Sequence, residues 1–146
     1  MYTHLQPETL AHPPVTLSTL GRLKSDGEMI ACLTAYDASF GALLDRAGVE
    51  VVLVGDSLGM VIQGHDSTVP VTMDDVVYHT RAVARGVRRA LLIADMPFMS
   101  YTTPDQAHTN AVRHMQQGNA KMVKHESSAN QLEIVRPHDL GLEGHV

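Results

Sequence analysis

The sequence of 146 residues has one cysteine, no tryptophan and few aromatic residues, which make up 4% of the chain. The single cysteine, Cys32, cannot form an internal disulfide, so a small secreted disulfide scaffold is excluded. Charged residues are sparse at 18%, and 11 basic against 16 acidic residues give a formal net charge of −5. This acidic balance argues against a general nucleic-acid-binding protein, and we expect no nucleic-acid partner.

Long hydrophobic runs are also missing. The longest apolar stretch, residues 49–60, is interrupted by Glu50, Gly55 and Asp56, and no stretch approaches the ~20 residues needed to span a bilayer. The first 14 residues have neither the basic nor the apolar region of a secretory signal. We therefore expect a cytoplasmic protein with no membrane partner. A chain of 146 residues is also short for a complete (β/α)8 barrel, which needs about 250 residues.

The sequence contains a regular alternation of strand-like and helix-like segments. Short apolar runs predict four strands, at residues 29–34, 49–54, 90–94 and 120–124, the first of them a buried strand. Helical periodicity with capping residues predicts helices over residues 37–47, 72–86 and 103–118. Strands and helices that alternate in this way form βα units with right-handed crossovers and a parallel sheet. The sequence therefore predicts an α/β fold with about four βα units.

The two ends of the chain differ from this alternating region. Residues 1–15 contain three prolines and no clear periodicity, and we expect a flexible N-terminal arm. Residues 16–126 hold the predicted βα units. Residues 127–146 contain no clear strand-like run, and we expect a divergent C-terminal tail.

Acidic residues follow three of the predicted strands. Asp56 follows the second strand, Asp95 follows the third, and Glu126 lies just beyond the fourth. The carboxyl ends of parallel strands share one rim, where α/β sheets and barrels bind their ligands. Carboxylates that converge there repel one another unless a cation lies between them. Ligands that are all oxygen atoms favour a hard ion, so the pattern indicates a Mg²⁺ site.

Structural interpretations of the same residues stay open. An aspartate after a strand is often the N-cap of the next helix, and this is the interpretation that we adopt for Asp37. Asp56 and Asp95 are each followed by several residues before the next helix, so capping is less natural for them. Lys124 and Glu126 face the same side of their strand. A lysine inside a parallel sheet is costly unless it meets an anion, which is either a substrate carboxylate or a neighbouring aspartate.

A glycine-rich stretch, GDSLGMVIQGHDSTVP, occupies residues 55–70. It lacks the Gly-Lys-Ser/Thr of a phosphate-binding loop and does not match a dinucleotide-binding fingerprint. Ser57 can offer a hydroxyl or a backbone N–H to an anion, and the polar residues 63–68 suit a lid. We expect His65 and Asp66 to face solvent. The nine histidines form no zinc-binding pattern.

Four segments together form a distinctive set of motifs. They are TAYD at 34–37, VLVGDSLGMVIQGHDSTVPVTMDDVVYHTRAVARG at 52–86, ADMPFMSY at 94–101 and AKMVK-E at 120–126. This set resembles the ketopantoate hydroxymethyltransferase family, also called the 3-methyl-2-oxobutanoate hydroxymethyltransferases, and VGDSLGM with QGHDST makes the resemblance highly specific. The resemblance implies the first half of a (β/α)8 TIM barrel.

The resemblance also implies a chemistry. The family transfers a hydroxymethyl group from 5,10-methylenetetrahydrofolate to 3-methyl-2-oxobutanoate, giving 2-dehydropantoate in pantothenate biosynthesis. By motif, Asp56 and Asp95 would bind Mg²⁺, with Glu126 in the third acidic position, partly through water. Ser57 and Lys124 would hold the keto-acid carboxylate, and Asp95 would also lie beside the substrate. Mg²⁺ then polarises the ketone, and the enolate formed at C3 attacks the one-carbon unit.

The resemblance has limits, and it leaves two alternatives. The family's general base is a glutamate beyond residue 146, so we assign no catalytic base and expect weak or no turnover from the isolated chain. His125 stands where the family has an apolar residue, and the likeness fades after about residue 130. The family also implies a homo-oligomer. The alternatives are a truncated, non-catalytic half-barrel whose open edges favour self-association, and a related Mg²⁺-dependent lyase or mutase acting on keto acids.

Overall fold

The computed structural model describes residues 13–126. The elements in this range are α1 (Leu17–Ser25), β1 (Cys32–Thr34), α2 (Ala38–Arg46), β2 (Val51–Val54), α3 (Leu58–Val61), α4 (Met73–Ala84), β3 (Leu91–Asp95), α5 (Pro104–Gln116) and β4 (Met122–Lys124). The predicted tail at 127–146 and most of the predicted arm lie outside the described residues. Val15, at the end of that arm, is buried and donates a backbone hydrogen bond to Arg89.

The four strands form one parallel sheet in the order β1-β2-β3-β4. Helices connect each strand to the next, so every carboxyl end lies at the same rim of the sheet. Consecutive strands are neighbours in this way in a (β/α)8 barrel. The prediction of four βα units of such a barrel is confirmed. No helix within residues 13–126 is long and apolar enough to cross a bilayer.

The core lies around β2 and is made of aliphatic side chains. Val52 and Val54 alternate onto one face of the strand and are completely buried, together with Leu58 of α3. Val76 and Val83 lie seven positions apart on α4 and cover this face. Burial of each such side chain stabilises the fold by roughly 1.5–3 kcal/mol.

The first strand differs from its prediction. The apolar run at 29–34 suggested a buried strand, but β1 spans only Cys32–Thr34 and all three of its residues are exposed. Met29, at the start of the run, is 94% exposed. The physical reason is position, because among residues 13–126 β1 lies at the edge of the sheet and has β2 as its one neighbour. The prediction of burial for this run was wrong.

The predicted helix starts are confirmed by their capping bonds. The Asp37 carboxylate accepts hydrogen bonds from the backbone of Ser39 and Phe40 and so caps α2. Thr72 and Asp75 form the predicted capping box of α4. Thr103 caps α5, directly before a proline at its first position. The short helix α3, inside the glycine-rich stretch, was not predicted.

Two helices approach closely at Gly86, which follows α4. A Cβ on this residue would lie 2.1 Å from the Ala38 carbonyl oxygen and 2.8 Å from the Ala42 nitrogen, both in α2. These distances are far below van der Waals contact, so only glycine fits. The absent side chain therefore sets the spacing between α2 and α4.

A buried carboxylate fixes the segment that enters β3. Asp45, near the end of α2, accepts hydrogen bonds from the backbone nitrogens of Arg88, Arg89 and Ala90 at 3.1, 2.9 and 2.7 Å. These three N–H groups precede β3 and have the Asp45 oxygens as acceptors. Asp45 therefore determines where the third strand begins.

We expect Asp45→Ala to lower the free energy of unfolding by about 3 kcal/mol, because it leaves three backbone donors without their acceptor. The measurement is urea denaturation followed by circular dichroism. Asp26→Ala is the matched control, since it removes an exposed carboxylate that lies 3.8 Å from Arg22, and we expect it to cost less than about 0.5 kcal/mol. Equal losses in the two variants would contradict the role of Asp45.

The inner face of α5 carries buried polar side chains. Asn110 donates to the Ser100 carbonyl oxygen at 2.6 Å. His114, one turn later, is fully buried, and within residues 13–126 neither ring nitrogen makes a hydrogen bond of ordinary geometry, although the Asp95 backbone lies near enough to the ring to oppose the fall in its pKa. Burial, and secondarily the charge of Arg113, lowers the pKa of the His114 imidazole to about 4. The ring is therefore neutral in the folded chain at pH 7.

His114 makes stability depend on pH. Its folded-state pKa of about 4 lies below the ordinary value of 6.5, so the unfolded chain binds one more proton between these values. The resulting stabilisation is complete above pH 6.5 and is lost as the pH falls towards 4, at a cost of about 3 kcal/mol. We expect His114→Leu to remove this part of the acid destabilisation when unfolding is measured at a series of pH values.

The control for this experiment is His108→Leu, which removes an exposed histidine from the same helix. We expect this control to retain the pH dependence of the unsubstituted chain. If His114→Leu and His108→Leu lose stability with acid to the same extent, the buried imidazole is not the source.

Candidate functional site

The carboxyl ends of β2, β3 and β4 bring the predicted acidic residues together. Asp95 ends β3 and is the register partner of Lys124, which ends β4. Asp56 and Glu126 each follow their strand by two residues. The three carboxylates line one open pocket of about 210 Å³. Its other lining residues are Thr68, Val69, Met96, Phe98 and Tyr101.

Lys124 lies between two of these carboxylates. Its Nζ donates to Asp95 Oδ2 at 2.7 Å and to Glu126 Oε1 at 2.8 Å. Burial alone would lower the pKa of the Lys124 ammonium, but the two carboxylates outweigh it and raise that pKa. The hydrogen bond from Lys124 lowers the pKa of Glu126. The lysine–aspartate pair that the sequence left open is therefore present, and Lys124 is charged at pH 7.

One of the two carboxylate oxygens of Asp95 has no hydrogen-bond partner in the described part of the chain. Its side chain is 13% exposed, Oδ2 is bound to Lys124, and Oδ1 is buried with no hydrogen-bond partner within residues 13–126. Burial raises the pKa of Asp95, and the nearby charges of Glu126 and Asp56 raise it further, although Lys124 opposes them. A buried oxygen without a donor, close to other carboxylates, is an environment that a cation would stabilise.

The carboxylate oxygens are the ligand type that a hard cation prefers, but their side chains are not already arranged around a metal position. In the described part of the chain, no three acidic, histidine or cysteine side chains stand close enough together to hold a metal ion. The donor set is nevertheless all oxygen, as Mg²⁺ prefers. Asp95 offers its unpartnered Oδ1, and the Glu126 side chain is 79% exposed, which leaves it room to rotate.

The capping alternative does not apply to the two rim aspartates. The N-cap of α3 is Ser57, whose side chain makes no capping bond, and the N-cap of α5 is Thr103. Asp56 and Asp95 therefore lie at the rim without serving as the caps of these helices.

Ser57 lies beside the pocket rather than in its lining. Its Oγ is 2.6 Å from the hydroxyl oxygen of Tyr36. A Cβ on Gly55 would lie 3.7 Å from Ser57 Oγ and 3.8 Å from Asp95 Cβ. The missing side chain of Gly55 therefore leaves open space between Ser57 and Asp95.

Two tyrosines at the rim received no role from the sequence. Tyr36 bonds to Ser57, and Tyr101 donates its hydroxyl to the Glu126 carbonyl oxygen at 2.8 Å. Both follow strands at their carboxyl ends, within the segments TAYD and ADMPFMSY. That position was the available signal, because residues after the strands of a barrel form its ligand-binding rim.

The last residues of the glycine-rich stretch, 55–70, contribute to the lining of the pocket. His65 and Asp66 are exposed, as predicted. Thr68 and Val69, which follow them, line the pocket. The lid role of residues 63–68 stays a prediction.

Comparison with known families decides the membership of this chain. Residues 14–140 match the sequence profile of the ketopantoate hydroxymethyltransferases. The chain belongs to this family. The resemblance that the motifs carry is thereby confirmed.

Curated relatives agree with the family match. The chain is 60% identical over 121 residues to the 3-methyl-2-oxobutanoate hydroxymethyltransferase of Shewanella loihica, covering 83% of this chain and 46% of that protein. It is 53% identical over 135 residues to the protein of that name from Alkalilimnicola ehrlichii, covering 92% of this chain and 48% of that protein. The chain thus spans about half the length of the curated relatives it matches.

Solved structures of distant sequence share the fold. An oxaloacetate acetylhydrolase aligns with a TM-score of 0.62 at 14% identity, covering 89% of this chain and 49% of that one. A phosphonopyruvate hydrolase, solved with oxalate and Mg²⁺, aligns with a TM-score of 0.60 at 18% identity, covering 82% of this chain and 42% of that one. A 2,3-dimethylmalate lyase of the PEP mutase/isocitrate lyase superfamily aligns with a TM-score of 0.58 at 15% identity, covering 77% of this chain and 40% of that one. At these identities the likeness concerns the fold alone.

Proposed function

We propose that this chain carries the metal and keto-acid half of a ketopantoate hydroxymethyltransferase site. The observation behind the proposal is the cluster of Asp56, Asp95, Lys124 and Glu126 at the carboxyl ends of three adjacent parallel strands. The names of relatives at 53–60% identity support 3-methyl-2-oxobutanoate as the substrate. The reaction is hydroxymethyl transfer from 5,10-methylenetetrahydrofolate. A homo-oligomer and a cytoplasmic location stay predictions.

The proposed ligands of Mg²⁺ are Asp56 and Asp95, with Glu126 as a more distant third carboxylate. Asp95 divides its two oxygens, because Oδ2 is bound to Lys124 and Oδ1 is unpartnered. Glu126 Oε1 is also bound to Lys124, which suits a contact to the metal through water. When bound, Mg²⁺ supplies Lewis-acid polarisation of the keto oxygen.

Lys124 and Ser57 are the proposed partners of the keto-acid carboxylate. An ammonium group has three N–H donors, and Lys124 uses two of them within the site. The third N–H, which has no acceptor among the described residues, would bind an anionic oxygen of the substrate. The lining side chains of Val69 and Phe98 are apolar, and they provide a surface for the branched alkyl end of the keto acid.

The reaction also needs a base and a second substrate. Water releases the methylene carbon from the two folate nitrogens at the formaldehyde level: its oxygen bonds to that carbon, and its two protons go to the nitrogens. A base takes the proton from C3 of the keto acid, C3 then bonds to the released carbon, and the base returns the proton to the carbonyl oxygen, which becomes the new hydroxyl group. The three carboxylates of the pocket are assigned to the metal, and none of them is proposed as the base.

The alternative of a keto-acid lyase or mutase has weaker support. Proteins of that superfamily share the fold at only 14–18% identity. The hydroxymethyltransferases are 53–60% identical to this chain over 121 to 135 residues. We therefore do not propose the alternative.

We expect Mg²⁺ and 3-methyl-2-oxobutanoate together to stabilise the chain against heat, and Asp95→Asn to abolish this effect. A ligand at a hundredfold excess over its Kd adds about 2.7 kcal/mol to the free energy of unfolding, which differential scanning calorimetry detects as a higher Tm. Asp66→Asn is the control, because it removes an exposed carboxylate outside the pocket lining. The proposal fails if the unsubstituted chain shows no shift, or if both variants keep it. Mg²⁺-dependent exchange of the C3 hydrogen in D₂O, followed by NMR, measures activity separately.

We expect Gly55→Ala to separate folding from binding. The added methyl group would have its nearest neighbours at 3.7–4.0 Å, which is ordinary contact, so the free energy of unfolding should change by less than about 1 kcal/mol. The same methyl group would occupy the space between Ser57 and Asp95, and we expect at least a tenfold rise in the Kd of the keto acid, on the order of 1.4 kcal/mol. Calorimetric titration in the presence of Mg²⁺ checks this, and unchanged affinity would place the ligand elsewhere.

A further inference from the structure

A hydrogen-bonded pair of hydroxyl groups lies at the rim outside the set of charged residues. Tyr36, two residues after β1, and Ser57, three residues after β2, bring their hydroxyl oxygens to 2.6 Å. Both residues are partly buried. The pair therefore connects the ends of two neighbouring strands directly beside the acidic pocket.

Tyr36 is held in place on both sides. The backbone nitrogen of Ala35, immediately before it, donates to the Leu53 carbonyl oxygen at 3.1 Å and continues the pairing of β1 with β2. The carbonyl oxygen of Tyr36 lies 2.7 Å from His79 Nδ1, on α4. A carbonyl can only accept, so Nδ1 carries the hydrogen in this bond. These two contacts fix the backbone from which the phenol ring reaches Ser57.

The direction of the Tyr36–Ser57 bond follows from counting protons. Serine has one O–H, and a carboxylate oxygen accepts but does not donate. If Ser57 gives its proton to a bound carboxylate, its bond with Tyr36 persists only when Tyr36 is the donor. The phenol proton then points at Ser57 Oγ and the serine proton points at the anion. Hydrogen bonds in such a chain polarise and strengthen one another.

We propose that Tyr36 is a positioning residue that orients the Ser57 hydroxyl as a donor to the carboxylate of a 2-oxo acid. The inference rests on the proposed function, since it needs an anion at Ser57. It assigns Tyr36 no contact with the reacting atoms. Ser57 Oγ and Asp95 Oδ2 lie 3.7 and 4.0 Å from the point where a Cβ of Gly55 would stand, so the oriented hydroxyl is within reach of the space beside the acidic pocket.

A double-mutant cycle tests the proposal. The proteins are the unsubstituted chain, Tyr36→Phe, Ser57→Ala and the double variant, each titrated with 3-methyl-2-oxobutanoate in the presence of Mg²⁺ in a calorimeter. We expect Tyr36→Phe to raise the Kd of the keto acid about three- to tenfold, because the serine hydroxyl loses its fixed orientation. In the Ser57→Ala background the same substitution should have no further effect.

Two further measurements distinguish positioning from a general structural role. Affinity for Mg²⁺ alone should stay within about twofold in Tyr36→Phe, because the proposed metal ligands are other residues. Tyr78→Phe is the matched control, since Tyr78 is exposed on α4 and lies outside the pocket lining. It should leave the keto-acid Kd unchanged.

The outcomes separate this inference from the proposed function. If Ser57→Ala weakens keto-acid binding and Tyr36→Phe does not, or if Tyr36→Phe weakens binding equally with and without Ser57, the positioning role is overturned and the proposed function stands. If Ser57→Ala binds as tightly as the unsubstituted chain, the assignment of Ser57 is wrong and the inference falls with it. If the unsubstituted chain binds no keto acid, the proposed function itself is overturned.

Discussion

The register between β3 and β4 is the constraint on which the site depends. Parallel pairing aligns Ile93 with Met122, Ala94 with Val123 and Asp95 with Lys124, so the last pair faces one side of the sheet at one height. A slip of one residue would turn Lys124 to the opposite face and leave Asp95 without its cation. The 2.7 Å contact between them is therefore a product of backbone hydrogen bonding rather than of the charges alone.

Other polar contacts fix the ends of the strands around this register. Asp45 determines where β3 begins, at the end of the strand opposite to Asp95. At the rim, Tyr101 holds the backbone of Glu126, and Tyr36 contacts Ser57. The pocket is lined by three carboxylates, and the one ammonium beside it contacts only two of them, so the pocket carries excess negative charge. Repulsion among these carboxylates lowers the stability of the folded chain, and the same repulsion favours the binding of a cation. Binding sites often combine lower stability with function in this way.

The sequence predicted the acidic rim because βα topology brings strand ends together whatever the details of packing. The predicted caps at Asp37, Thr72 and Thr103 succeeded because capping is local. Features that depend on distant partners could not be predicted. The three donors to Asp45 lie 43 to 45 positions further along the chain, and the exposure of β1 depends on the lack of a second neighbouring strand among the described residues. The four-residue helix α3 has too few residues for a periodic pattern and no side-chain cap.

The close contact between Gly86 and α2 limits which substitutions the fold can accept on the side opposite to the pocket. A single methyl group there would stand 2.1 Å from the Ala38 carbonyl oxygen, so α2 would have to move by more than an ångström. That helix begins two residues after Tyr36 and ends one residue after Asp45, and it would carry both away from their hydrogen-bond partners. Gly86 has no side chain and lies before the amino end of β3, away from the pocket, yet it should tolerate substitution no better than the acidic residues of the pocket.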